Sequence, residues 1–286
     1  MKKTQETMKN ETVLITGAST GIGYATAVYL DQLGYKVYAC VRKEADKLKL
    51  QENSSNRLES IILDVCDLNS ILNANEHIQR TLNDGAFHLI NNAGLSINGP
   101  LELLDHSDIK KVIDVNLTGL LTVTNVFLPL IRKSKGRIIN ISSGHGLMAI
   151  PDKSVYAASK FGVQAICDSL RVELKPFGVE VISIIVGKVN TSVLGKILDG
   201  RSSMIEKAST ESYDVYKSLI EYFDKEVKNI PGIEAVKVSE TIEKALKDRN
   251  PKIKYLIGPG AKKMDSLRKF PAKMRDKMLF KAVYKS

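Results

Sequence analysis

The sequence predicts an α/β fold, a single domain built on a doubly wound parallel sheet. Three features carry that expectation. Short apolar runs alternate with longer amphipathic ones along most of the chain. The short runs are apolar on both faces, as strands are when helices cover both sides of a parallel sheet. A glycine-rich stretch, TGASTGIG, stands directly between the first short run and the first helical one. Strand–helix alternation sustained this long implies double winding. The 286 residues are enough to bury a substantial core.

The elements follow in order. VLIT (residues 13–16) reads as the first strand, and residues 22–33 as a helix with Ala25, Val28, Tyr29 and Leu33 on one side. KVYACV (36–41), SIILDV (60–65), HLINNA (88–93), RIINIS (137–142) and VEVISIIV (179–186) read as further strands, and YLIG (255–258) as a last one. Helical patterns fill the gaps, the longest at 107–131 and 155–175. Residues 190–236 break the rhythm and carry no strand signal; Tyr213, Tyr216, Ile220, Phe223 and Val227 form a helical stripe there. An insertion after a late strand lies beyond the carboxyl edge of the sheet and can cover a binding crevice. The expected organisation is a body over residues 1–260, including this covering insertion, and a basic amphipathic tail over 261–286.

Composition excludes several classes. With 43% hydrophobic and 26% charged residues the chain is neither disordered nor collagen-like. No apolar run approaches the roughly 18–20 residues of a membrane-spanning helix, and the basic N-terminus lacks the apolar stretch of a secretory signal. Cys40, Cys66 and Cys167 are widely spaced, which fits reduced thiols in a cytoplasmic protein and no metal site. The net charge of +10 is concentrated: residues 252–286 hold 11 Lys/Arg against 2 Asp/Glu. The nearly neutral body, without aromatic stacking motifs, argues against a nucleic-acid partner.

The chemistry-bearing residues sit where strands end. In TGASTGIG, Gly17, Gly21 and Gly23 let the backbone turn tightly and approach a diphosphate, and the N–H groups opening the next helix favour an anion. At the end of the second strand stand Arg42 and Lys43, 25 residues beyond Gly17, with no acid at that point. An acid there would bond an adenosine ribose, whereas arginine accommodates a 2′-phosphate, so the reading is NADP(H) over NAD(H). Tyr156 and Lys160 lie one helical turn apart on one face. A nearby ammonium favours phenolate and lowers the pKa of a tyrosine from about 10 towards a workable acid–base range. Ser143 ends the RIINIS strand, Asn92, Ala93 and Gly94 end another, and Asn116 lies in a helical stretch.

Together these motifs resemble the short-chain dehydrogenase/reductase family, and the likeness covers nearly the whole chain. TGASTGIG resembles its cofactor loop, Asp64-Val65 the pair that holds the adenine, and NNAG its central sheet motif; Asn116, Ser143, Tyr156 and Lys160 match its catalytic tetrad in order and spacing. VYACVRKEAD, GPLELL and the KYLIG segment resemble the branch containing hydroxysteroid and retinol dehydrogenases and their bacterial relatives. The resemblance implies a Rossmann-type fold and hydride transfer between NADP(H) and a carbonyl or secondary alcohol. It implies cofactor contacts from Gly17, Ser19, Thr20, Gly21, Ile22, Gly23, Asp64, Val65, Asn92, Ala93, Gly94, Tyr156, Lys160, Gly187, Val189 and Thr191. Ser143 would orient the substrate oxygen, Tyr156 supply the proton, Lys160 lower its pKa and hold the nicotinamide ribose, and Asn116 support a proton-relaying water. One departure stands out: Val186-Gly187 replaces the family's usual Pro-Gly after the sixth strand, which leaves the turn less rigid.

The substrate wall is expected from Ser143, Leu95, Ser96, His145, Leu147, Val189 and Leu194, mostly apolar, which suits a lipophilic alcohol or ketone. His145 reads as a wall residue because the acid–base role is filled. In the tail, Met264, Leu267, Met274, Met278, Leu279 and Val283 interleave with Lys and Arg around Pro271. Such a segment either docks on the body with a solvated basic face or makes weak peripheral contact with an anionic membrane. The two long helices resemble those the family uses to form homodimers or homotetramers. Two rival readings share the fold or the Tyr/Lys pair: a non-catalytic NADPH-binding regulator and a sugar-nucleotide epimerase. The intact Ser143–Tyr156–Lys160 set speaks against the first, and the lack of a Gly-x-x-Gly-x-x-Gly loop against the second.

Overall fold

A computed structural model describes residues 11–285 except Asn83 and Ser192, with the side chains of Val193, Leu194, Lys196, Val227 and Lys228 also outside the described residues. The strands are β1 (Thr12–Ile15), β2 (Lys36–Val41), β3 (Leu58–Ile62), β4 (Phe87–Asn91), β5 (Arg137–Ser143), β6 (Glu180–Val186) and β7 (Lys254–Ile257). They form one seven-stranded sheet in the order β3-β2-β1-β4-β5-β6-β7. Every neighbouring pair is parallel.

The helices are α1 (Gly21–Gln32), α2 (Glu44–Gln51), α3 (Leu68–Thr81), α4 (His106–Ile113), α5 (Gly119–Ser134), α6 (Ser154–Glu173), α7 (Val193–Lys207), α8 (Thr210–Asn229), α9 (Ala235–Lys247), α10 (Pro259–Leu267) and α11 (Ala272–Tyr284). The period-two alternation of each strand feeds two cores. Val13, Ile15, Val37, Ala39, Ile139 and Ile182 pack under α1 and α9, whose Ala27, Leu30, Val238 and Ile242 cover them. Leu14, Tyr38, Cys40, Leu89 and Ile138 face the other way, under Ile71 and Ile78 of α3, Val123, Phe127 and Ile131 of α5, and Val163 and Cys167 of α6. This three-layer arrangement is the doubly wound, Rossmann-type fold of a single domain.

The structure revises the expected helices in two ways. The helix expected over 107–131 is not uniform: α4 and α5 are joined without a break by a π-helical turn, Asp114–Thr118, and Asn116 lies inside it. The combined helix His106–Ser134 is also long and apolar enough to cross a membrane by length and composition, although its sequence holds no unbroken apolar run. Its inner face instead covers the sheet, with Val123, Phe127 and Ile131 fully buried. The 190–236 insertion folds as α7 and α8, followed by a single parallel bridge between Val189 and Ile233.

The chain builds β1-β2-β3 outward in one direction, then crosses back from β3 to β4 and builds the other half, so the strand order reverses between β1 and β4, which are neighbours in space but not in sequence. The strand-to-helix connections diverge there, and a crevice opens beyond the carboxyl ends.

Phe127 stacks on Phe87 with ring centroids 6.0 Å apart and is fully buried. Phe127→Ala is expected to cost about 3–5 kcal/mol, read as a lower urea midpoint at unchanged m-value; a loss below 1 kcal/mol would show that α5 is not the packed lid of the second core.

Candidate active site

The crevice is built first from backbone. Gly17 has φ +66°, a conformation that L side chains rarely adopt, and a Cβ there would stand 2.8 Å from the Cα of Ala93. A Cβ on Gly23 would overlap the Gly17 carbonyl oxygen and the Asn92 amide. Asn92 Nδ2 donates to the carbonyls of Thr16 (2.9 Å) and Gly17 (3.0 Å). In return Thr16 Oγ1 accepts from the Asn92 and Ala93 N–H groups at 3.0 Å each. The glycine loop is thus stapled to the end of β4. Helix α1 opens at Gly21 with Thr20 as N-cap, and the Thr20 side chain makes no cap bond. The first-turn N–H groups, those of Gly21, Ile22 and Gly23, are therefore left for an anion beside half-buried Ser19.

The second half comes from β5, the π turn and α6. Asn116 is buried. Its Oδ1 accepts from the Leu95 N–H (2.8 Å), and its Nδ2 donates to the Leu95 carbonyl (2.9 Å) and to Ser159 Oγ (3.0 Å). Both amide hydrogens are engaged, so any bond to a relaying water would fall to the remaining Oδ1 lone pair. Lys160 is buried and its Nζ donates to the Ile141 carbonyl at 3.0 Å. The same Nζ lies 5.9 Å from the centre of the Tyr156 ring, and a Ser143 side-chain hydrogen bond reaches the Tyr156 hydroxyl. Gly94 completes the group: it is exposed, and a Cβ there would lie 3.3 Å from Asn116 Oδ1 and 3.5 Å from Lys160 Nζ. Asn116, Ser143, Tyr156 and Lys160 therefore meet at the mouth of the crevice, with an open glycine in front of them.

Burial governs the acid–base character. It raises the Tyr156 phenol above its ordinary value, and the Ser143 hydrogen bond only partly opposes it. The sequence reading gave the neighbouring ammonium the larger influence on the phenol; the loss of solvent outweighs it. The same burial lowers Lys160 to about 8. His145 sits edge-on to the Tyr156 ring at 5.9 Å, and burial, reinforced by Lys153, lowers it to about 3. It is a neutral wall residue, and its backbone N–H donates to Ser143 Oγ (3.2 Å).

The remaining candidates line the rim. Arg42 and Lys43 are exposed at the carboxyl end of β2. Asp64 accepts from the Cys66 N–H (3.0 Å), and Val65 packs where a Cβ on Gly119 would touch it at 2.8 Å. Thr191 borders the glycine loop, its methyl 3.4 Å from where a Gly21 Cβ would lie. The proline-free turn after β6 is held from outside: Gly187 N–H donates to the Ile257 carbonyl (2.9 Å), Asn190 N–H to the Ile233 carbonyl (2.8 Å) and Ile233 N–H to the Lys188 carbonyl (3.0 Å). This ladder fixes Val189. Leu95 and Ser96 are half-buried, and Ser96 Oγ donates to Asn98 Oδ1 (2.7 Å). Leu147 faces a small core with Ile185 and Ala261. The Leu194 side chain lies outside the described residues.

Sequence reasoning missed Thr16, Ser159 and Ile233, which act by holding other groups in place. Thr16 and Ser159 lay inside the glycine-loop and Tyr-Ala-Ala-Ser-Lys motifs, but nothing in their residue types marked them. Tail residues also reach the site: Met264 packs at Gly144, beside Ser143, and Ala261 at Gly187.

A family profile for short chain dehydrogenases matches residues 11–202. The chain is 35% identical over 269 residues to retinol dehydrogenase 7 of Rattus norvegicus, covering 91% of this chain and 84% of that protein. It is 37% identical over 276 residues to short-chain dehydrogenase/reductase family 9C member 7 of Homo sapiens, covering 93% and 88%. Among solved structures, a short-chain dehydrogenase from Streptomyces avermitilis superposes with a TM-score of 0.76 at 24% identity, covering 90% and 91%, and so shares the fold.

The buried Lys160 has a signature in stability. Its folded pKa, about 8, lies below the unfolded value of 10.5. Between those values the unfolded chain binds more protons, so this group makes stability rise with pH across that window. Lys160→Met should remove the rise and add on the order of 3 kcal/mol near pH 7. Urea titrations of both proteins from pH 7 to 10 test this; parallel curves would mean that the ammonium is solvated.

Proposed function

The chain belongs to the short-chain dehydrogenase family and is an NAD(P)-dependent oxidoreductase acting on CH–OH groups; from that premise we propose that it moves a hydride between NADP(H) and the carbonyl or secondary alcohol of a lipophilic substrate, with Tyr156 as acid–base group. The observation that carries this reading is the half-buried Tyr156 side chain, its phenol hydrogen-bonded to buried Ser143 and its ring 5.9 Å from the buried Lys160 ammonium, at the switch point of the sheet.

The crevice suits a dinucleotide. Gly17 and Gly23 leave no room for side chains, the opening turn of α1 offers N–H groups to a diphosphate, and exposed Gly94 leaves the space before Asn116 and Lys160 open. In this reading Gly17, Ser19, Thr20, Gly21, Ile22 and Gly23 hold the diphosphate, Asp64 and Val65 the adenine end, and Asn92, Ala93, Gly94, Gly187, Val189 and Thr191 the nicotinamide end. Nicotinamide supplies the hydride chemistry when bound.

The protein's own groups do the rest. Ser143 donates a hydrogen bond to the substrate oxygen. Tyr156 gives that oxygen its proton in reduction and takes it back in oxidation. A phenol raised by burial is a weaker acid and is seldom ionised near neutrality, so the positive charge beside it matters: Lys160, held by the Ile141 carbonyl, offsets the desolvation in the ionised state. Asn116 ties the segment after β4 to Ser159 on α6, and so keeps both catalytic walls in register.

Arg42 and Lys43, exposed directly after β2 at the position where an acid would bond the adenosine ribose, support NADP(H) over NAD(H). Half-buried Leu95 and Val189 support an apolar substrate body, as does the apolar alcohol in the name of the rat relative. Exposed Leu121, Phe161 and Val172 on α5 and α6 support association of copies into a homodimer or homotetramer. Phe270, Met274, Met278 and Phe280, exposed among lysines of α10–α11 and the turn between them, support weak peripheral membrane contact from a cytoplasmic site.

Tyr156→Phe should lower kcat by about 10²–10⁴-fold against a panel of apolar ketones followed by NADPH absorbance, with NADPH binding retained; full turnover would overturn the assignment. Arg42→Asp should shift the kcat/KM ratio from NADPH towards NADH by about tenfold or more; an unchanged ratio would place the 2′-phosphate elsewhere.

A further inference from the structure

A buried ion cluster lies beside the site and is not used by the chemistry above. Arg201 on α7 is 3% exposed and Asp152, two residues before α6, is 4% exposed. Their contact is bidentate, Nη1 to Oδ1 and Nη2 to Oδ2, both at 2.7 Å. Arg201 Nε lies 3.2 Å from Asp224 Oδ1 on α8, and Lys153 Nζ lies 3.4 Å from Asp152 Oδ2. One guanidinium thus joins three elements: the entry to the helix that carries Tyr156 and Lys160, and both helices of the insertion.

Asp152 is held in an unusual backbone state. Its φ is +72°, one of only two positive values among the described non-glycine residues. Its carbonyl accepts from the Gly99 N–H at 3.0 Å. Such a conformation persists where surrounding contacts over-determine it, and it concentrates at functional sites. The α7 side is equally specific. One turn after Arg201, buried Met204 packs on Gly99 so closely that a side chain there would collide with its sulfur. Lys207 pairs with Asp105 (2.6 Å), and the Tyr216 hydroxyl on α8 donates to Glu102 (2.8 Å). Arg201, Met204 and Lys207 lie on one face of α7, so that face is bound to the loop after β4 and to the start of α6.

We propose that Arg201 is a positioning residue that also sets specificity: through Asp152 it locks the α7–α8 cover to the first turn of α6, and so fixes the distance between Tyr156 and the wall against which substrate packs. The kinetic consequence rests on the reading of Tyr156 as the acid–base group; the structural lock does not. A buried pair of this kind serves conformational specificity rather than net stability, because desolvating both charges offsets most of their attraction. The planar fork of arginine meets both carboxylate oxygens at once, which a lysine ammonium does not reproduce.

The test uses the full-length protein with Arg201→Met, Arg201→Lys and Asp224→Asn, read by amide hydrogen exchange, NADPH binding, and kinetics with all-trans-retinal as the apolar carbonyl probe. In Arg201→Met, exchange should rise about tenfold or more in peptides over 152–160 and 197–229, while β1, β4 and β5 keep wild-type protection. The NADPH dissociation constant should stay within about twofold, and the KM for retinal should rise about tenfold with a smaller change in kcat. Arg201→Lys should fall between wild type and Arg201→Met. Asp224→Asn should loosen 210–229 alone. Wild-type exchange over 152–160 in Arg201→Met, or a uniform rise that includes the sheet, would overturn the lock. Inactivity of the wild-type protein towards retinal would count against the substrate reading only, since the exchange data decide the lock without turnover.

Discussion

The clamp between Thr16 and Asn92 holds the rest of the site in place. The ends of β1 and β4 meet at the point where the sheet changes direction, and parallel strands leave their last backbone groups unpaired there. Asn92 donates twice to the carbonyls of Thr16 and Gly17, and the Thr16 hydroxyl accepts two N–H groups in return. Four polar backbone groups are satisfied without closing the crevice, because the partners are short side chains at its floor. The glycine loop can then turn with Gly17 in a left-handed conformation against Ala93.

On that floor the titration of Tyr156 and Lys160 is set by burial. The phenol of Tyr156 and the ammonium of Lys160 are both pushed towards their neutral forms by loss of solvent. Near pH 7 the phenol is neutral, while the lysine, at about 8, still carries its proton with less margin than an exposed one. Each is held by one neighbour, Ser143 for the phenol and the Ile141 carbonyl for the ammonium. A pair poised this way responds to further charge brought into the crevice, because Lys160 and Ser143 are buried and poorly screened. His145, kept neutral beside the ring, adds shape without competing for protons.

The far wall is assembled from segments distant in sequence. The insertion α7–α8 is tied to the start of α6 through Arg201 and Asp152, and the last helix α11 joins the same side where Val283 packs on Leu219 and Phe223. Helix α10 reaches the opposite side, with Met264 at Gly144 and Ala261 at Gly187. The basic charge of the last 35 residues thus rides on helices whose apolar sides are partly spent on the body. The turn after β6, which lacks its usual proline, gains stiffness from the Ile233 ladder instead.

By itself the sequence determined the strand–helix alternation, the strand set, and the placing of Gly17, Asn92 and Ser143 at strand ends and of Asn116, Tyr156 and Lys160 in helices. Those properties follow from local periodicity and from spacing along one chain, which side-chain chemistry writes directly. Tertiary structure alone decided what depends on partners far apart in sequence. The π turn around Asn116 arises where its amide bonds Leu95 and Ser159. The direction of the Tyr156 shift follows from how completely its neighbours exclude water, and the Asp152–Arg201 pair joins residues 49 apart. No window of sequence contains both members of such a pair, so its charge reads as solvated until the fold buries it.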